Sequence, residues 1–244
     1  VLDAPAGYAY FGCGWDPTFV AKVRLSDFTR VGALPMTDEE WLPVAAVLDA
    51  SAGYAYFGTR GGTVVKVRLS DFTRADTLTL NPVEPGVNFG VAVLDASTGY
   101  AYFGLWTDDP GTVVKVRLSD FTQVGTLTLG PGKGYCLSGV LDAAAGYAYF
   151  ATGYSNTDSV ATVVKVRLSD FTQAGALTLN PWESYAHCAV LDAAAGYAYF
   201  GMYEEPGIVV KVRLSDFTRV GALTLNPGEY HLECPVLDAA AGYA

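Results

Sequence analysis

Apolar and polar positions along this chain alternate in short runs, not at helical spacing. In residues 63–69, Thr-Val-Val-Lys-Val-Arg-Leu, Lys66 and Arg68 fall on one side of an extended segment and Val65, Val67 and Leu69 on the other. Residues 54–58, Tyr-Ala-Tyr-Phe-Gly, are rich in aromatic residues that suit a pleated, half-buried surface. Gly53 and the Ser-Asp-Phe segment at 70–72 are turn signals. No segment shows a 3.6-residue apolar period, and helix-forming runs of Glu, Lys, Gln and Ala are absent. The pattern predicts four strands in this part of the chain, at 44–49, 54–58, 63–69 and 75–80.

The pattern then repeats. The string VLDAxxGYAYF starts at Val1, Val47, Val93, Val140 and Val190, and a shorter copy, VLDAAAGYA, starts at Val236. Each full copy is followed by a close relative of VVKVRLSDFTRVGALTL. The units are 1–46, 47–92, 93–139, 140–189 and 190–235, with a partial sixth at 236–244. A period near 47 residues with strand signals alone points to propeller blades. The unit is too short for a strand–helix array and too long for a β-solenoid coil. The expected fold is all-β: a single β-propeller domain, 1–244, of four-stranded antiparallel blades, with five blades as the first choice. Five units also fit a segment of a six- to eight-bladed ring. Residues 1–3 supply only the end of an inner strand, while 231–238 supply a whole one in the same phase. The C-terminal strand is therefore expected to complete the first blade. The alternative is donation to a next subunit, or continuation as a tandem array, either of which gives a head-to-tail assembly.

Asp-x-x-x-Gly-Tyr-x-Tyr-Phe-Gly followed by x-Val-x-Lys-Val-x-Leu resembles the YVTN family of β-propeller repeats. Asp49, Gly53, Tyr54, Tyr56, Phe57, Val65, Val67 and Leu69 carry the resemblance, and the other copies match likewise. The resemblance implies fold far more than function, because that family includes surface proteins and binding modules. Chemistry has to be argued from sites.

Composition narrows the classes. Hydrophobic residues are 51% and charged residues 16% of the 244, the reverse of a disordered chain. The apolar residues never form a run of about 18, so no membrane-spanning helix is expected. A formal charge of −10 argues against a phosphate backbone as partner. No leader pattern stands at Val1, where repeat sequence opens directly.

Charge is divided between template and loops. Ten of the 15 basic residues are the repeated Lys-x-Arg, from Lys22/Arg24 to Lys211/Arg213. Eleven of the 25 acidic residues recur at two template positions, after the first strand (Asp3, Asp49) and after the third (Asp27, Asp71). Recurrence in every unit suits turn capping and hydrogen bonds between blades better than a ring of binding charge. The segments between the second and third strands, and between successive units, differ in every copy. Thirteen of the 14 remaining acidic residues lie there, with all four Trp. Variable loops on a fixed scaffold are where recognition concentrates. The candidate surface is Trp15, Asp16, Trp41, Trp106, Asp108, Asp109, Tyr154, Trp182, Glu183, Tyr203, Glu204 and Tyr230. Aromatic faces beside carboxylates suit sugar rings, cationic peptides or a protein interface. The plainer reading is that these aromatics pack beneath long loops.

Other chemistry finds little support. There is no GxSxG string. Gly-Pro-Gly-Lys-Gly at 130–134 lacks the spacing and the following helix of a phosphate loop. His187, Cys188, His231 and Cys234 form a weak soft-metal set, since His187 and Cys188 are sequential on a strand and should face opposite ways. Disulfides are the better expectation for the four Cys, with pairing open. No N-x-[ST] acceptor exists. No catalytic residue and no cofactor is expected. The first functional expectation is a non-catalytic structural or scaffolding module, extracellular or at the cell surface, capable of self-association. The second is a glycan- or peptide-binding propeller, and an enzyme ranks third.

Overall fold

The computed structural model describes residues 1–14, 16–81, 88–153, 160–233, 235–238 and 241. Among them the chain forms five four-stranded antiparallel sheets. The first comprises β1 (Leu2–Asp3), β2 (Tyr8–Cys13), β3 (Phe19–Arg24) and β4 (Thr29–Pro35). The second comprises β5 (Pro43–Asp49), β6 (Tyr54–Thr59), β7 (Thr63–Arg68) and β8 (Thr73–Thr79). The third holds β9 (Asn88–Asp95), β10 (Tyr100–Trp106), β11 (Thr112–Arg117) and β12 (Thr122–Thr128). The fourth holds β13 (Cys136–Asp142), β14 (Tyr147–Thr152), β15 (Thr162–Arg167) and β16 (Thr172–Thr178). The fifth holds β17 (Ala186–Asp192), β18 (Tyr197–Met202), β19 (Ile208–Arg213) and β20 (Thr218–Thr224). Each sheet is a meander in sequence order. The only helical element among the described residues is a 3₁₀ turn at Asp38–Glu40, and no helix there is long and apolar enough to cross a membrane. The chain divides into two compact units, Val1–Phe103 with Val114–Val124, and Gly104–Val113 with Gly125–Ala244.

The two template turns are built by their own side chains. Asp49 Oδ1 accepts the Ala52 N–H (2.9 Å) and the Ser51 hydroxyl (2.7 Å). Gly53 then sits at φ +78, a left-handed conformation that glycine adopts without Cβ strain. Asp71 Oδ1 accepts the Thr73 N–H (3.2 Å) and hydroxyl (2.7 Å), so the fourth strand resumes at Thr73, two residues before the expected start at 75. Phe72 between them has φ +54, and its counterparts Phe28, Phe121, Phe171 and Phe217 lie at +52 or +53. An L-residue there costs about 1–2 kcal/mol.

The cost is offset across to the preceding sheet. The Phe72 ring lies 5.8 Å from the Tyr10 ring, Phe121 5.8 Å from Tyr56, and Phe217 5.7 Å from Tyr149. Lys22 completes the contact. Its Nζ stands 4.1 Å from the Tyr8 ring centre and 5.7 Å from that of Phe72, and it donates to the Leu69 carbonyl (3.3 Å). Lys66 and Lys165 sit the same way, 5.4 Å from Phe121 and 5.6 Å from Phe217. Cation–π contacts of this kind contribute about 0.5–2 kcal/mol each. The repeated lysine is thus a stitch between sheets, as the template argument expected.

Beneath the stitch lies an apolar core. In the first unit Tyr10 and Val20 pack on Ala55, Phe57, Val65 and Val67 of the next sheet. In the second unit Tyr149, Ala151 and Val163 pack on Ala198, Phe200, Val210 and Val212. Burying each large side chain contributes about 1.5–3 kcal/mol.

The inner position of the first sheet is held by β1, where residues 231–238 were expected. Val1 exchanges two hydrogen bonds with Tyr10, both 2.9 Å. A short turn joins β1 directly to β2, so this hairpin closes at the smallest loop entropy. The C-terminal segment instead lies on the fifth sheet. Leu232, Glu233, Pro235 and Val236 line a cavity of about 300 Å³ with Cys188, Val190, Tyr199, Gly201 and Val209.

Candidate binding surface at the variable loop ends

In each meander the two constant turns lie at one end and the variable segments at the other. In the first unit the variable end is organised by Glu40. Its Oε2 accepts the Thr37 N–H (3.1 Å) and an Arg74 Nη2–H (2.5 Å), and its Oε1 accepts the Thr77 hydroxyl (3.0 Å). Glu40 is buried, so the Arg74 guanidinium supplies the countercharge that burial demands. Trp41 beside it is exposed, with the Arg60 guanidinium 6.0 Å from its ring. Asp16 is exposed in the preceding loop.

In the second unit the aromatic and acidic candidates largely engage one another. Trp106 packs edge-on to Tyr135, with ring centres 6.0 Å apart. The Tyr135 hydroxyl donates to Asp108, and Asp109 Oδ1 accepts the Lys133 N–H (3.1 Å). Both carboxylates therefore pin the β10–β11 loop to the segment that precedes β13. Glu183 is buried and repeats the role of Glu40. It accepts the Asn180 N–H (2.8 Å) and two bonds from Arg219 Nε (3.0 Å each). The Ser184 hydroxyl donates to Glu204.

The fifth sheet gathers a stack of rings. His231 lies flat on Tyr203, with centres 3.6 Å apart and planes 2° from parallel. His187 packs on the same tyrosine at 4.7 Å, and Tyr230 meets His231 edge-on at 4.6 Å. Burial holds the His187 imidazole below its usual pKa. Glu233 opposes that shift and His231 adds to it. The two histidines thus converge on a phenol ring, and Cys188 is buried on the opposite side of the strand, where its Sγ faces the Gly201 carbonyl. Among the described residues no cluster of three His, Cys, Asp or Glu is placed to hold a metal. Cys13 and Cys136 are free thiols, so the expected disulfide does not join them. Burial pushes the Cys136 thiol up to about 12. Trp15, Tyr154 and Cys234 lie outside the described residues.

The open candidates are then few. Trp182 is 78% exposed, Trp41 and Tyr230 are exposed, and Asp16 is exposed with no hydrogen bond or ion pair among the described residues. Sequence reasoning missed the partners that consume the carboxylates: Arg74, Arg219, Thr77 and Ser184. A signal for part of this was present. Thr-Asp-Glu-Glu at 37–40, Asn-Pro-Trp-Glu at 180–183 and Asn-Pro-Gly-Glu at 226–229 all place Glu three residues after a small polar residue, the spacing of a capping box.

No family model and no curated protein matches the chain. Solved structures match it in fold. Kuenenia stuttgartiensis hydrazine synthase aligns with TM-score 0.73 at 8% identity, over 87% of this chain and 62% of that one. Quinohemoprotein alcohol dehydrogenase from Comamonas testosteroni aligns with TM-score 0.69 at 12% identity, over 96% of this chain and 45% of that one. The WD40 repeats of RRP9 align with TM-score 0.67 at 11% identity, over 92% and 62%. The chain spans less than two-thirds of each of these. With five four-stranded antiparallel sheets and these neighbours, the fold is an all-β propeller of five blades. The neighbours carry both enzyme names and a repeat-domain name, so the fold alone assigns no chemistry.

Proposed function

We propose that this chain is a non-catalytic structural or scaffolding module of YVTN-like propeller repeats that works by associating with further copies of its own repeat. One observation carries the reading. The charged residues of the template are spent on the fold, with lysine in the stitches between sheets, aspartate in the turns, and Arg24, Arg68, Arg117, Arg167 and Arg213 each on a nearby aspartate. Even the loop carboxylates Glu40, Asp108, Asp109, Glu183 and Glu204 hold loops together. We propose a location at the cell surface or outside the cell, the setting that the resemblance to YVTN repeats suggests, and surface biotinylation of the native host tests it. Assembly is tested by negative-stain electron microscopy of native material. Discrete monomers at all concentrations count against it, and turnover in a broad hydrolase and lyase screen would overturn the non-catalytic reading.

A second reading rests on Trp182. A large ring held 78% exposed by a left-handed backbone (φ +72) is an anchor suited to stacking on a sugar or a partner surface. A glycan array with Trp182→Ala as control tests it. Signal that survives the substitution places binding elsewhere.

A further inference from the structure

The chain has two histidines, and the fold brings both to one ring. His187 stands on β17 and His231 on the segment that follows β20, yet both pack on Tyr203, at 4.7 Å and 3.6 Å between ring centres. The repeat carries no imidazole at either place elsewhere. Three residues before Val-Leu-Asp, where His187 stands, the preceding unit has Leu137. Five residues before it, where His231 stands, the two preceding units have Tyr135 and Tyr185. Tyr135, Tyr185 and His231 share a left-handed backbone, at φ +54, +48 and +56. His231 therefore keeps the conformation of its counterparts and changes only the chemistry. A leucine or a phenol takes up no proton near neutrality, whereas an imidazole does.

All of these residues lie in the second compact unit. Tyr203 is tied to the body of that unit, its N–H donating to the Tyr185 carbonyl (3.0 Å). The segment 226–233 lies over it as a strap. One part of the strap is fixed where the Gly207 N–H donates to the Glu229 carbonyl (2.7 Å). Further along, no strand forms among the described residues, and attachment falls to His231 on Tyr203 and to Leu232, which closes on Gly201. Leu232 and Glu233 form one wall of the cavity of about 300 Å³, opposite the apolar Val190, Tyr199 and Val209 of the sheet.

The charges around His187 are few. From the strap it meets Glu233, which favours the charged ring, and His231, which disfavours it. Burial disfavours the charged ring further. The carboxylates of the neighbouring loops are committed elsewhere, Glu204 to the Ser184 hydroxyl and Glu183 to Arg219. On β17 and on β13 beside it, Asp192 and Asp142 cap their own turns at the constant end. Cys136 of β13 is a buried thiol.

We propose that the two histidines make the strap a proton-sensitive clasp, which holds 226–233 on the fifth sheet at neutral pH and in acid releases it and opens the cavity to solvent while the sheets stay folded. Release exposes His187 to water and parts it from His231, so the open state binds more protons than the closed one. Opening is disfavoured above the ordinary imidazole value of 6.5 and gains progressively below it. The clasp goes beyond the scaffolding reading and does not depend on it.

Hydrogen–deuterium exchange of the full chain at pH 7.5 and pH 5.5, corrected for the intrinsic pH dependence of exchange, tests it by mass spectrometry. Peptides covering 203–209 and 226–233 are expected to exchange several-fold faster at pH 5.5, ~10-fold at most for one imidazole one unit below its ordinary value, while β14 and β15 keep their protection. His187→Gln and His231→Gln are each expected to shrink that step. Glu233→Gln is expected to keep or enlarge it, because the carboxylate supports the charged ring in the closed strap. Equal exchange at the two pH values overturns the clasp. So does a loss of protection shared by β14, β15 and the strap, which is unfolding of the whole unit. A step that survives both histidine variants, or that vanishes in Glu233→Gln, overturns it as well.

Discussion

The two ends of each sheet handle charge in opposite ways. At the constant end every carboxylate is satisfied within three residues. Asp71 caps its own turn and meets Arg68 at 3.0 Å, with both side chains nearly half exposed. At the variable end the carboxylates that matter are buried and reach 34–36 residues away, Glu40 to Arg74 and Glu183 to Arg219. Local pairing lets the constant turns be copied without regard to context. Remote pairing ties each variable segment to one neighbour, so that variation there is bounded by packing as well as by any ligand.

The difference predicts unequal costs. Glu183→Ala leaves the Arg219 guanidinium without its countercharge and is expected to destabilise the chain by about 3 kcal/mol. A denaturant midpoint within error of wild type would show that the buried pair is dispensable. Asp71→Ala removes one turn cap and an exposed, solvent-screened ion pair, so a clearly smaller loss than for Glu183→Ala is expected. A loss equal to that of Glu183→Ala would erase the distinction between the ends.

Proton titration sharpens the same contrast. His187 is held below its ordinary value of 6.5 by burial, so the folded state favours the neutral ring. Its contribution is complete above 6.5 and is lost as pH falls below it, because the unfolded chain binds the proton first. Unfolding at pH 7.5 and pH 5 is expected to show the loss, and His187→Gln is expected to flatten it. An unchanged slope in that variant assigns the effect elsewhere. Asp120 and Asp216 are held down to about 2 by Arg117 and Arg213, with threonine hydroxyls adding to the effect. Stability from these turns is full above the usual carboxylate value and fades only as pH falls through about 2. Being solvent-exposed, they should give the smallest effect, read by carboxyl carbon shifts. Midpoints near 3.8 would refute the pairing.

Much of the fold could be read from the sequence because the repeat displays its own periodicity five times over. Alternation in Thr-Val-Val-Lys-Val-Arg set the strand type, and Asp49 and Gly53 set the turn. The start of the fourth strand was missed by two residues, because the Asp71–Thr73 cap compresses the turn around a left-handed Phe72, a conformation propensity does not anticipate. The candidate surface was less legible. Composition counts Glu183 and Asp108 as free acidic charge, whereas only three-dimensional placement reveals that Arg219 and Tyr135 have claimed them. The place of the C-terminal segment was hidden for a similar reason: identical strings cannot say which copy fills a given slot.

The lysine stitch has one more consequence, for how the protein comes apart. Because Lys22 reports on Phe72, and Lys66 on Phe121, each sheet's stability contains a term owned by its neighbour. Within each compact unit a change that loosens Phe72 or Phe217 is therefore expected to reach the sheet before it, through Lys22 or Lys165, and this coupling sets how sharply the stitched sheets melt together.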